Sequence, residues 1–174
     1  MTTSAIQVKC LTPLSVSFGT FIDGMASSTT TGAQSTYIDL GATNVPTGSR
    51  AEAMLLRASI AFTTAPASGS IDFYVGFSSA TNASFPANLT GAAAAYGGYA
   101  TNLAAQGLPH LTMVGTMTAA LNTSVQTKDI GTFTPLDRYV VVVAMSSVNQ
   151  VLTTTTTDKV FKIIPLQDEV AAAA

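Results

Sequence analysis

One histidine, nine acidic residues and one cysteine are the groups in this chain best suited to moving a proton, attacking a carbonyl or holding a metal. His110 follows Pro109 at the mouth of an expected strand, where a general base would need a partner brought to it by folding. Gly76, Phe77, Ser78, Ser79 and Ala80 approach a nucleophile elbow, but Ala80 stands where the second glycine is required and no helix follows. The acids are Asp23, Asp39, Glu52, Asp72, Asp129, Asp137, Asp158, Asp168 and Glu169, and only the last two are adjacent. That spacing matches no calcium loop, and a glycosidase pair would have to be assembled by the fold. Cys10 stands alone, which excludes an intrachain disulfide and a multi-cysteine metal site, and it is expected as a small buried side chain. Gly97 and Gly98 lack the Lys and Ser or Thr that complete a phosphate loop. Tyr96 and Tyr99 flank those glycines and offer aromatic contact surface. No catalytic residue, cofactor or metal is therefore expected, and the sequence reads as non-enzymatic.

The elements that would position these residues are strands. Tyr139 to Met145 reads Tyr-Val-Val-Val-Val-Ala-Met, and its four branched valines stiffen the chain toward β geometry. Both faces of that strand are apolar, so it is expected to be central and covered on both sides. Met54, Leu56, Ala58, Ile60 and Phe62 alternate with polar neighbours, although Ala51 to Arg57 would also suit the start of a helix. Ile71, Phe73, Val75 and Phe77 follow the same period after a loop with Pro66 and Gly69, giving a hairpin-like pair. Further strands are expected at Ser15 to Phe21, Thr36 to Leu40, Leu111 to Thr118 (where Val114 interrupts the alternation), Ser124 to Ile130 as an edge, and Lys159 to Ile164, ended by Pro165. Thr153 to Thr157 reads as a hairpin tip. Seven to nine short strands without a long helix predict an all-β protein, an antiparallel β-sandwich of jelly-roll type. Residues 1-30 are expected as an N-terminal arm and first strand, and residues 31-174 as the sandwich domain, one domain overall.

Composition narrows the partners. Charged residues are 9% of the chain against a typical value of about 25%, and hydrophobic residues reach 47%. A net charge of −2 offers no basic field, which argues against nucleic acid. No apolar run approaches the ~20 residues of a membrane-spanning helix, and Met1 to Lys9 does not read as a secretory signal. The 55 residues between Asp72 and Lys128 contain no Asp, Glu, Lys or Arg. Within that span, 78–110 is a long connection rich in Ala, Gly and Asn, and uncharged surface of this kind invites association. Part of it is expected to be covered by another chain, with Phe85, Tyr96, Tyr99, Leu103 and Leu108 at the partner interface.

The order of these features resembles a known group. Tyr37-Ile38-Asp39-Leu40, the strand pair from Met54 to Phe77, a long variable connection, Leu111 to Thr116, Arg138 to Val143, a Thr-rich tip, and Phe161-Lys162-Ile163-Ile164-Pro165 before an acidic end are similar to small β-sandwich virion proteins of tailed bacteriophages. That group includes capsid decoration or cement proteins. The resemblance spans roughly Tyr37 to Val170 and rests on residue class. It implies a structural protein made in the host bacterial cytoplasm and carried on the virion surface, contacting the major capsid protein and its own copies, as a trimer for example. The competing expectation is a receptor-binding or carbohydrate-binding module on a tail or fibre.

Overall fold

The structure is a computed structural model that describes residues 6–23, 25, 32–41, 53–81, 89–97 and 111–170. Phe85, Tyr99, Leu103, Leu108 and His110 lie outside the described residues. The described strands are β1 (Ile6–Cys10), β2 (Leu14–Val16), β3 (Gly32–Gln34), β4 (Ile38–Asp39), β5 (Ala53–Ile60), β6 (Ser70–Ser78), β7 (Ala94–Tyr96), β8 (Thr112–Thr118), β9 (Gln126–Phe133), β10 (Tyr139–Ser146) and β11 (Val160–Val170). A 3₁₀ turn at Thr156–Asp158 lies in the Thr-rich loop.

All pairings are antiparallel, and they divide the strands between two sheets. One sheet runs β1, β11, β5, β9, with β2 also on β11; the other runs β7, β3, β10, β6, β8, with β4 also on β10. Treating β1 with β2 and β3 with β4 as single interrupted strands leaves eight main strands plus β7. These pair first with last, second with seventh, third with sixth and fourth with fifth. Successive pairs fall in alternate sheets, which is one long hairpin rolled into a jelly roll. The described strands number eleven rather than seven to nine because two strands are interrupted and the long connection contributes β7.

Each interruption has a local cause. Between β1 and β2 the chain passes Pro13, and at the same level Pro165 lies in β11. Proline cannot donate to a ladder, so Pro165 is tolerated where its neighbour is broken, and its carbonyl still accepts the Leu11 N–H at 2.9 Å. The final strand therefore continues through Pro165 to Val170, rather than ending there. Between β3 and β4, buried Ser35 replaces ladder bonds: its N–H donates to the Val142 carbonyl at 2.9 Å and its hydroxyl accepts the Val142 N–H at 3.0 Å.

The inner faces build the core. Met54, Leu56, Ala58 and Ile60 from β5 and Ile163 from β11 meet Ile71, Phe73, Val75, Val140, Val142 and Ala144 from the opposite sheet. Residue 53 onward is strand, not helix, because a period of two puts every second side chain into this core. Phe161 packs edge-on against Phe18, with ring centroids 5.0 Å apart. Strand β10 is central, paired along its whole length with β6 and on its other side with β3 and β4. Cys10 is exposed on β1, not buried, because that strand lies at the margin of its sheet.

Candidate partner interface

The second apolar face of β10 is covered by the chain itself. Val141 and Val143 are fully buried beneath Leu89 and Tyr96, with Leu111, Tyr74, Tyr139 and Met145 packed around them. Several contacts seat the 89–97 segment over the sheet. Strand β7 pairs with β3, the Thr90 N–H donates to Gln34 Oε1 at 2.9 Å, and the Tyr37 N–H donates to the Gly91 carbonyl at 2.9 Å. Gly76 makes the close approach possible: a Cβ there would lie 2.5 Å from Leu89 Cδ1 and 2.8 Å from Leu111 Cδ2. Burying each valine contributes about 1.5–3 kcal/mol.

Tyr96 is consequently 1% exposed. Its ring packs within its own chain, which sets it apart from the contact surface expected for the connection. The uncharged composition of 89–97 is explained at least in part by this burial, since a charge under Val141 and Val143 would have no counter-ion.

Several candidate chemical groups among the described residues have structural partners. Ser78, the would-be nucleophile, closes β6, and its hydroxyl accepts the Ala80 N–H at 3.1 Å. Asp129 holds Arg57 through two bonds of 2.5 and 2.9 Å, and Asp39 holds Arg138 through two of 3.0 and 2.8 Å. Hydrogen bonding from Arg57 draws the Asp129 carboxyl below its ordinary value and raises the guanidinium in turn. Arg138 is raised by its hydrogen bonds to Asp39. Asp72 accepts the Thr116 hydroxyl at 2.6 Å, while neighbouring Tyr74 has its phenol pushed up by burial and then by the Asp72 charge. Asp23 pairs with Lys159, whose side chain is only 6% exposed. Among the described residues no three His, Cys, Asp or Glu side chains are grouped to hold a metal, and no helix is long and apolar enough to cross a membrane.

Exposed apolar side chains mark a different surface. Connections 17–23, 61–69, 119–125 and 147–159 gather at one end of the sandwich. The Ala119 N–H donates to the Gly69 carbonyl at 3.0 Å, the Thr63 N–H to that of Val151 at 3.2 Å, and the Lys159–Asp23 pair joins the first connection to the last. Phe21, Leu121, Val125 and Val151 are exposed on these connections, Leu121 at 68%. Among the described residues of these connections, Asp158 is the one charge outside the Asp23–Lys159 pair. The opposite end presents Leu136, Tyr37 and Arg138, with Arg138 5.1 Å above the Tyr139 ring and Tyr37 edge-on to it at 5.6 Å. Sequence reasoning passed over both ends because short turns between strands carry no periodicity. The available signal was Leu121 and Val125 standing in an uncharged loop.

No protein-family model, curated protein or solved structure matches the chain.

Proposed function

We propose that this chain is a non-enzymatic phage virion structural protein that decorates and reinforces a capsid by bridging major capsid protein subunits. The observation that carries this reading is the loop end bearing Phe21, Leu121, Val125 and Val151, where large apolar side chains project among Ser and Thr with almost no charge. Exposed apolar surface of this sort gains roughly 25 cal/mol per Å² when another protein covers it, before the cost of association is subtracted. A jelly roll suits the role because its two packed sheets hold such loops on a rigid frame. The test is co-sedimentation of the purified protein with capsids assembled without it, followed by heat disruption of the loaded capsids. Saturable binding at a fixed ratio with a raised disruption temperature supports the proposal, and absence of binding ends it.

One observation favours a second reading, a receptor-binding or carbohydrate-binding module. Tyr37, Tyr139, Arg138 and Asp39 form a partly exposed aromatic and charged platform at the other end. A glycan screen in which Tyr37→Ala abolishes a hit found with the parent protein would support it.

A further inference from the structure

The margins of the two sheets are treated unequally. Where β8 and β9 meet, each strand carries an extra residue, Val114 and Ile130, that breaks its register. Lys128 of β9 sits opposite buried Ala58 and donates from Nζ to the Thr116 carbonyl of β8 at 2.9 Å. Bulges and an inward-directed lysine are the devices by which edges are kept from pairing with other chains. At the other margin, the Thr36 N–H, beside β4, donates to the Ser17 carbonyl, beside β2, and the edge strand β7 is only three residues long. Strand β1 shows none of this. It is five residues of unbroken register against β11, without proline or bulge, and it ends the sheet among the described residues. At its centre Val8 is 62% exposed, and Cys10, two residues on and therefore on the same face, is exposed as well.

We propose that β1 is a self-association edge: it pairs antiparallel with β1 of a second copy of this chain, with Val8 on the twofold axis. That register sets Val8 opposite Val8, Gln7 opposite Lys9 and Ile6 opposite Cys10. Extending each row into β11 shows why the strand suits its own copy. By register position one kind of row holds Val170, Ile6, Cys10 and Leu166, all apolar residue types, and the other holds Gln167, Lys9, Gln7 and Glu169, so the sequence puts one lysine and one glutamate in each row of the second kind and no like charges at adjacent positions. The central row is Asp168, Val8, Val8, Asp168, with its two acids at the far ends. The central row maps onto itself across the axis and every other row recurs by symmetry, which is what an isologous contact requires. A strand carrying acids would instead meet Asp168 and Glu169 across β1. The product is one continuous sheet in which β9, β5, β11 and β1 of one copy run into β1, β11, β5 and β9 of the other. This inference stands independently of the capsid reading. A dimer that ignores capsids overturns only that reading, and a capsid-binding monomer overturns only this one.

Sedimentation equilibrium of the full chain over roughly 1–100 μM tests it, since a five-residue seam is small and a weak dimer is expected. Val8→Lys places two ammonium groups together on the axis and should weaken the dimer about tenfold or more. Because Val8 is exposed, the thermal midpoint of this variant should remain that of the parent when both are measured at a concentration low enough to be monomeric. Val8→Cys combined with Cys10→Ser should give a covalent dimer on mild oxidation, since directly opposed strand residues lie within disulfide reach. A parent protein that stays monomeric throughout, a dimer indifferent to Val8→Lys, or a Val8→Cys variant that does not crosslink overturns the proposal.

Discussion

Gly115 and Gly131 hold the corner where the two sheets meet. A Cβ on Gly115 would run into the carbonyl oxygen of Ile130, and one on Gly131 into the carbonyl oxygen of Val114. Ile130 and Val114 are the bulged residues of β9 and β8, so each glycine makes room for the extra residue of the facing strand. A bulge bends its strand and increases its twist, and two bulges opposed in this way let both edges turn toward each other. Replacing either glycine by alanine should lower the unfolding free energy by about 1–3 kcal/mol, read as a lower urea midpoint at unchanged slope. The displaced atoms are backbone, which has little freedom to yield.

Gly76 works against side chains instead. Gly76→Ala should push Leu89 and Leu111 away from the outer face of β10, costing about 1–3 kcal/mol and speeding amide exchange across 89–97. Gly97→Ala is the control, because a Cβ there meets nothing within 4 Å, and it should change stability by no more than about 0.5 kcal/mol.

Tyr96 and Leu121 should separate folding from binding. Tyr96→Ala removes a buried ring and should cost about 3 kcal/mol of stability, and on the proposed capsid role it should leave affinity per folded molecule unchanged. Leu121→Asp alters an exposed side chain and should leave the urea midpoint near that of the parent. On the proposed capsid role it should weaken co-sedimentation about tenfold or more, by burying an unpaired charge in the contact.

The Lys159–Asp23 pair ties the β2–β3 connection to the start of β11 with both side chains largely buried. Lys159→Met leaves the Asp23 carboxylate without its counter-charge and should cost about 3 kcal/mol. Adding Asp23→Asn removes the stranded charge and should recover part of that loss, so thermal midpoints of the two single variants and the double variant form a cycle that isolates the pair.

Acid sensitivity has a definable contribution from Asp129. Its carboxyl is held below its ordinary value of 3.8 by the Arg57 hydrogen bonds. A depressed carboxylate stabilises the fold above its unfolded pKa and loses that contribution as pH falls through the folded one. Both partners are well exposed, and solvent screening limits the effect to at most about 1 kcal/mol. Asp129→Asn should therefore lower stability slightly at pH 7, and the deficit should shrink as pH falls below 3.8, in paired urea titrations.

Local pattern determined the strands. The valine run gave β10 its two apolar faces, the period of two from Met54 onward overrode the helical alternative, and the break in alternation at Val114 became a bulge. Lys128 and Asp129 marked β9 as an edge before any pairing was known. Such features are legible because side chains alternate across a strand whatever lies above it.

What covers each face was decided by the tertiary structure alone. Leu89 and Tyr96 reach Val141 and Val143 across some fifty intervening residues, and an uncharged connection looks the same in sequence whether it covers its own sheet or a neighbour's. Cys10 and Pro165 turned on the same kind of fact. Cys10 is exposed because β1 is the margin of its sheet, and Pro165 continues β11 because the strand beside it is interrupted there. Burial and tolerance for a missing donor are properties of neighbours, and neighbours distant in the chain are assigned only when the sheets close on one another.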